Sequence, residues 1–238
     1  MLGVRAEKVC VRVENGREIL TDITFDIAPG SFVAILGENG AGKTSLLDTI
    51  MGFRRPCAGR LTVDGLAPAE DHHLQRRQIA YLSEKVDMPA DWTASEFLAF
   101  NRFFYPDYQE SREASLLSEW GISGLQRIVN LSAGEIRRVQ IVAALCQVPR
   151  LFIVDEIAAV LDIVGRRKFM ATLKELHRSS GATILFATNI LEDLNEAASH
   201  ILILKKGRLV VHQSVSEFMT ACATPSLADG VAARIEQP

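Results

Sequence analysis

Tyrosine, tryptophan and cysteine are scarce in this chain, and neither sign of charge dominates it. Its 238 residues include 3 Tyr, 2 Trp and 4 Cys, and the formal net charge is −3. A slightly acidic chain lacks the clustered lysine and arginine of a general nucleic-acid binder, so no nucleic-acid partner is expected. Cys10, Cys57, Cys146 and Cys222 lie far apart and form no C-x-x-C pair. They read as buried or incidental thiols of a reducing cytoplasm. No apolar run approaches the roughly eighteen residues that span a bilayer. Residues 1–8 lack the apolar core of a signal peptide. Internal repeats and low-complexity segments are also missing. What is present is 48% hydrophobic and 23% charged, the composition of a globular chain with a real core. The length suits one α/β domain with an inserted subdomain, or two small domains.

The most informative stretch is residues 37–44, G-E-N-G-A-G-K-T. It fits G-x-x-x-x-G-K-[ST], the phosphate-binding loop. Its glycines let the backbone turn tightly and aim N–H groups at phosphate oxygens. Lys43 supplies a point charge for the β- and γ-phosphates, and the Thr44 hydroxyl is a Mg²⁺ ligand. Candidate phosphate contacts are Gly37, Asn39, Gly40, Ala41, Gly42, Lys43, Thr44 and Ser45. Residues 31–36 read as a buried strand before the loop, and residues 44–51 as a helix after it. The phosphates would then sit at a positive helix N-terminus. A glycine-rich turn with an incidental lysine is the plainer alternative, and the flanking strand and helix argue against it.

Residues 9–13 and 19–27 alternate apolar and polar, and residues 61–65 add a third strand to an antiparallel layer. Residues 78–83 form a short apolar strand. From about residue 86 to 145 the chain reads as a helical subdomain rich in aromatics, with Thr93 and Glu96 spaced as a capping box. Phe97, Phe100 and Phe104 fall on one helix face. That stripe reads first as a small core, and second as a partly exposed groove that receives a partner. Ser132 and Glu135 repeat the capping-box spacing at an otherwise ordinary helix start. Residues 151–156, L-F-I-V-D-E, are an apolar strand closing on two acids. Ligands of open α/β sheets bind at the carboxyl ends of strands. There Asp155 would hold Mg²⁺ and Glu156 would orient or deprotonate an attacking water. Residues 168–176 read as an amphipathic helix ended by Ser180-Gly181; another buried strand, 183–188, ends at Asn189, and a helix over 192–198 follows it. Residues 201–204 and 208–211 read as a hairpin around Lys206-Gly207. The expected fold is α/β: a P-loop core with a mostly parallel sheet, an N-terminal antiparallel subdomain and an inserted helical subdomain. One ATP-binding domain would cover 1–220, and 221–238 would be a loose tail with at most a short helix.

The order of these elements, over about residues 4–217, resembles the ATP-binding subunit of ATP-binding-cassette transporters. Residues 131–135, L-S-A-G-E, look like that family's signature, and Val160-Leu161-Asp162 is similar to its D-loop. The stretch 103–108, F-F-Y-P-D-Y, looks most like bacterial export-type cassettes with separate membrane subunits. The resemblance implies a head-to-tail dimer, of two identical or two homologous cassettes. Each ATP, with Mg²⁺, would lie between the phosphate loop of one copy and Ser132, Ala133, Gly134 and Glu135 of the other. It also implies a cytoplasmic protein held to the inner face of the membrane by a permease. Four positions depart from the family's pattern. Val13 stands where an aromatic ring stacks on adenine, and Glu84 where a glutamine touches Mg²⁺ or water. Ala133 replaces a glycine. Asn189 stands where a histidine contacts the γ-phosphate; its amide donates a hydrogen bond but carries no positive charge. The leading expectation is a transporter motor that hydrolyses ATP to drive export through a separate membrane permease. A nucleotide-gated binding module with little hydrolysis is the alternative, and a soluble cassette ATPase is the third reading.

Overall fold

The computed structural model describes residues 1–70, 76–83, 88–156, 161–189, 197–222 and 226–236. In chain order the elements are β1 (Val4–Arg12), β2 (Glu18–Ile27), β3 (Phe32–Leu36), α1 (Lys43–Ile50), β4 (Ala58–Val63) and β5 (Ile79–Ser83). The helical region follows with α2 (Ala94–Phe104), α3 (Glu113–Glu119) and α4 (Ala133–Cys146). Then come β6 (Leu151–Asp155), α5 (Ile163–Ser180), β7 (Thr183–Ala187), β8 (His200–Lys205), β9 (Arg208–Ser214), α6 (Val215–Cys222) and α7 (Leu227–Glu236).

Two sheets result. The first is antiparallel, order β2-β1-β4, and the second has order β5-β6-β7-β3-β8-β9. In the second sheet β5, β6, β7, β3 and β8 run parallel, and β9 closes the edge antiparallel to β8. Every residue of β3, β6 and β7 is buried, as a strand covered on both faces requires. Strand alternation sorts them onto two cores. Phe32, Ala34, Leu36, Phe152, Val154 and Phe186 face the layer of α4, α5, α6 and α7. Val33, Ile35, Ile153 and Leu185 face α1 and the antiparallel sheet, where Leu46, Leu47, Val9 and Phe25 complete the packing. Each fully buried Phe or Leu side chain contributes about 1.5–3 kcal/mol.

The functional consequence is the convergence of strand ends. β3 lies between β7 and β8, so the turn after β3 and those after β6, β7 and β8 all open at one sheet edge. The capping boxes at Thr93 and Ser132 form as their spacing predicts. In the helical region, Arg102 donates to both carboxylate oxygens of Glu113 at 3.0 and 2.9 Å, tying α2 to α3. Lys168 of α5 sits 4.9 Å over the Trp120 ring and donates to the Glu119 carbonyl, anchoring that region to the parallel-sheet core.

Three expectations meet a different structure. The stripe of Phe97, Phe100 and Phe104 is not one buried face. Phe97 is buried, but Phe100 is 50% exposed, Phe104 44% and Phe103 86%. Trp92, Phe100, Phe104 and Phe103 stack edge-on in a row on the surface. Helical spacing locates a face but does not say whether another element covers it. The expected tail contains the ten-residue helix α7, with Leu227 and Val231 buried against the core. The helix predicted from residue 168 begins at Ile163, because Asp162 caps it by accepting from the Gly165 N–H at 2.6 Å. The helix expected over 192–198 falls almost entirely outside the described residues.

Candidate functional site

At the end of β3 the chain enters the loop through Gly37, whose φ is +148°. A Cβ there would lie 2.3 Å from the Leu204 carbonyl oxygen, so only glycine lets the loop pass against β8. Gly42, at φ +107°, is the N-cap of α1. The first-turn N–H groups of α1 have no intrahelical acceptor and point out of the helix end. Ala41 is buried behind the loop. Its N–H is donated to Glu38 O at 3.0 Å, and its carbonyl accepts from Gly207 N at 3.0 Å.

The Lys43 side chain is 3% exposed. Its ammonium donates to Gly37 O at 2.8 Å and Glu38 O at 3.2 Å, and pairs with Glu156 Oε1 at 3.0 Å. These partners use all three of its donors. Thr44 donates its hydroxyl to Asp155 Oδ1 at 3.2 Å. Burial is the main cause that raises the Asp155 pKa, the Thr44 hydrogen bond opposes it, and the Glu156 charge adds to it. Thr44 Oγ and the Asp155 carboxylate are two hard oxygen donors side by side, one of them in a site that penalises its charge. That pair suits Mg²⁺, which takes few protein oxygens and keeps waters and phosphates as its other ligands. Glu156 itself adopts φ +54°, an uncommon conformation for a side-chain-bearing residue. Its N–H donates to Ala187 O at 3.1 Å, which fixes the acid at the sheet edge.

A cavity of about 540 Å³ opens here. Asn39, Gly40, Gly42, Lys43, Thr44, Ser45 and Glu156 line it, whereas Gly37 and Ala41 form the loop's packed back. The remaining wall is Arg17, Glu18, Ile19, Lys206 and Gly207. These five were not singled out from sequence. Their approach depends on two turns packing beside the loop, and the hairpin signal at Lys206-Gly207 gives no hint of it.

Other expected positions lie apart from this cavity within one chain. Val13 is half-buried at the start of the turn after β1 and does not line it. Asn189 is exposed just past β7, also outside the lining. Ser132 and Ala133 are exposed at the start of α4, with Gly134 and Glu135 half-buried beside them. The Ser132 hydroxyl donates to Glu135 Oε2 at 2.7 Å, and this hydrogen bonding lowers the Glu135 pKa. Asp162 pairs with Arg138 of α4 at 3.3 Å, linking the start of α5 to the helix that Ser132 opens. Glu84 and Val160 lie outside the described residues.

Known proteins share this architecture. The family described as ABC transporter matches residues 20–159. Energy-coupling factor transporter ATP-binding protein EcfA2 of Streptococcus thermophilus is 29% identical over 228 residues, which is 88% of this chain and 80% of the relative. Sulfate/thiosulfate import ATP-binding protein CysA of Xylella fastidiosa is 30% identical, over 94% of this chain and 66% of the relative. A solved ATP-binding subunit of an ABC transporter superposes with a TM-score of 0.89 at 25% identity, covering 98% of this chain and 99% of that one.

Proposed function

The chain belongs to the ABC transporter family, and on that premise we propose that it is an ATP-hydrolysing subunit driving a separate membrane permease. Two cassettes, identical or homologous, close head to tail around two ATP. The observation that carries the reading is the meeting of Lys43, Thr44, Asp155 and Glu156 at the mouth of one helix N-terminus. Lys43 and the first-turn N–H groups of α1 bind the phosphate oxygens. Thr44 and Asp155 hold Mg²⁺, which supplies positive charge to the phosphates when bound. Glu156 turns from Lys43 to the attacking water and orients it or takes its proton. Ser132 and Gly134 of the second copy offer a hydroxyl and backbone N–H donors from another helix start, completing the site in trans. Asn189 donates its amide toward the γ-phosphate.

The exposed aromatic row of Phe100, Phe103 and Phe104 supports a membrane-subunit contact. A cleft of about 320 Å³ lined by Arg76, Arg77, Phe104 and Tyr105 adjoins it. No helix among the described residues is long and apolar enough to cross a membrane, so a partner would hold the chain at the inner face. Export is the direction favoured by residues 103–108, while the Xylella relative is named for import.

Single-turnover phosphate release from ATP tests the enzyme reading. The wild-type chain should release phosphate well above the Glu156→Gln variant. Equal release by the two would favour the binding-module alternative, for which the uncharged Asn189 is the supporting feature. Copurification of an integral membrane protein from native membranes tests the partner. Recovery from the soluble fraction alone would count against transport.

A further inference from the structure

The base end of the nucleotide cavity carries chemistry that the phosphate end does not explain. Strand order places the acid pair after β6 on one flank of β3 and the Lys206 turn after β8 on the other. A nucleotide with its phosphates on α1 and its γ-end toward Glu156 therefore points its base toward Arg17, Ile19 and Lys206. This wall is fastened to the loop: Thr21 N donates to Gly207 O at 2.8 Å, and Gly207 N to Ala41 O at 3.0 Å. Among the described residues that line the cavity there is no aromatic ring. Arg17 and Lys206 are exposed, and neither side chain has a hydrogen bond or ion pair among the described residues. Glu18 is the one carboxylate on this wall, and Arg12 engages it at 3.5 Å. Arg17 and Lys206 are therefore the unengaged cations of this wall, and both only donate, beside the apolar Ile19 and the carboxylate of Glu18.

We propose that Arg17 and Lys206 form a donor-only base subsite, so that guanine nucleotides are held at least as tightly as adenine nucleotides. The inference rests on the nucleotide reading of the same cavity. Guanidinium and ammonium groups donate hydrogen bonds and accept none. Guanine presents two acceptors on one edge, N7 and O6, whereas adenine presents N7 beside an amino donor. Two side chains that only donate match the first edge and oppose half of the second. The guanidinium also stacks on the face of either purine, without preference.

Titration calorimetry of the full chain with ADP, GDP and inorganic pyrophosphate tests this, since none of the three involves γ-phosphate hydrolysis. GDP should bind as tightly as ADP or tighter. Arg17→Ala should weaken GDP by about fivefold or more and change pyrophosphate less than about twofold. Arg17→Lys, which keeps the charge and loses the fork, should fall between. A preference for ADP beyond about threefold, or an Arg17→Ala variant with unchanged GDP affinity, would overturn the proposal. Equal loss of pyrophosphate and GDP in that variant would also overturn it, by moving Arg17 to the phosphates. Those results leave the phosphate-loop reading intact. Failure of all three ligands to bind the wild-type chain would remove both.

Discussion

Glu156→Gln should make the nucleotide-free protein less stable and its nucleotide affinity higher. Lys43 is nearly fully buried, and its three donors go to Gly37 O, Glu38 O and Glu156 Oε1. The two carbonyls belong to the loop itself, so phosphate gains Lys43 by displacing Glu156. At 3.0 Å two unit charges attract by about 5 kcal/mol at an effective dielectric near 20. The Glu156 side chain is 33% exposed, so water screens it, and desolvation of Lys43 offsets part of the remainder. A net contribution of about 1–2 kcal/mol is expected. For a chain of this size that lowers the Tm without nucleotide by about 3–6 °C. The same free energy, together with removal of a negative charge beside the phosphates, tightens ADP binding by about tenfold. Differential scanning calorimetry gives the first quantity and calorimetric titration with ADP the second. An unchanged Tm combined with unchanged or weaker ADP binding would refute the competition between Glu156 and phosphate.

Removing the cap of α4 in Ser132→Ala should cost about 1 kcal/mol and about 2–4 °C in Tm, while Ser132→Asn restores it; a Tm unmoved by Ser132→Ala would contradict the capping box. Burial pushes the Cys146 thiol up to about 11, so it stays neutral at pH 8, where a thiolate-selective disulfide reagent should titrate the exposed Cys57 first. Cys146 should react only after denaturant is added, and fast labelling in the native state would contradict its placement. Phe103→Ser, at an 86% exposed position, should change stability by less than about 0.5 kcal/mol yet weaken copurification of the membrane partner. Phe97→Ala in the buried face should cost about 3–5 kcal/mol, and equal stability losses from the two would contradict the split of that helix surface.

Much of this molecule is legible in its amino-acid sequence. The fully apolar runs at 32–36, 151–154 and 184–187 suit strands covered on both faces, and the helical spacing between them implies parallel crossovers. Residues 37–44 announced a phosphate loop because glycines, lysine and threonine at that spacing have a joint chemical use. Capping boxes at Thr93 and Ser132 were readable because they depend on residues three apart. Packing between distant segments was not readable. Phe100 and Phe104 read first as core and only second as a partly exposed groove, the reading their exposure fits, since periodicity marks a face and cannot say what covers it. The tail looked loose, since Ala, Thr, Pro and Ser dominate it and the partners of Leu227 and Val231 are far upstream.

The class of fold, the phosphate loop and the acid-ended strand follow from local patterns in the chain, each with its own physical cause. Tertiary structure decided how those pieces face one another. Lys43 met Glu156, 113 positions later in the numbering, because β6 and β3 end at the same sheet edge. Arg17 and Lys206 reached one cavity because two turns dock on the back of the loop through Thr21, Gly207 and Ala41. Ion pairs and cavity walls depend on distances in space, and those are set only when the strands take their order in the sheet.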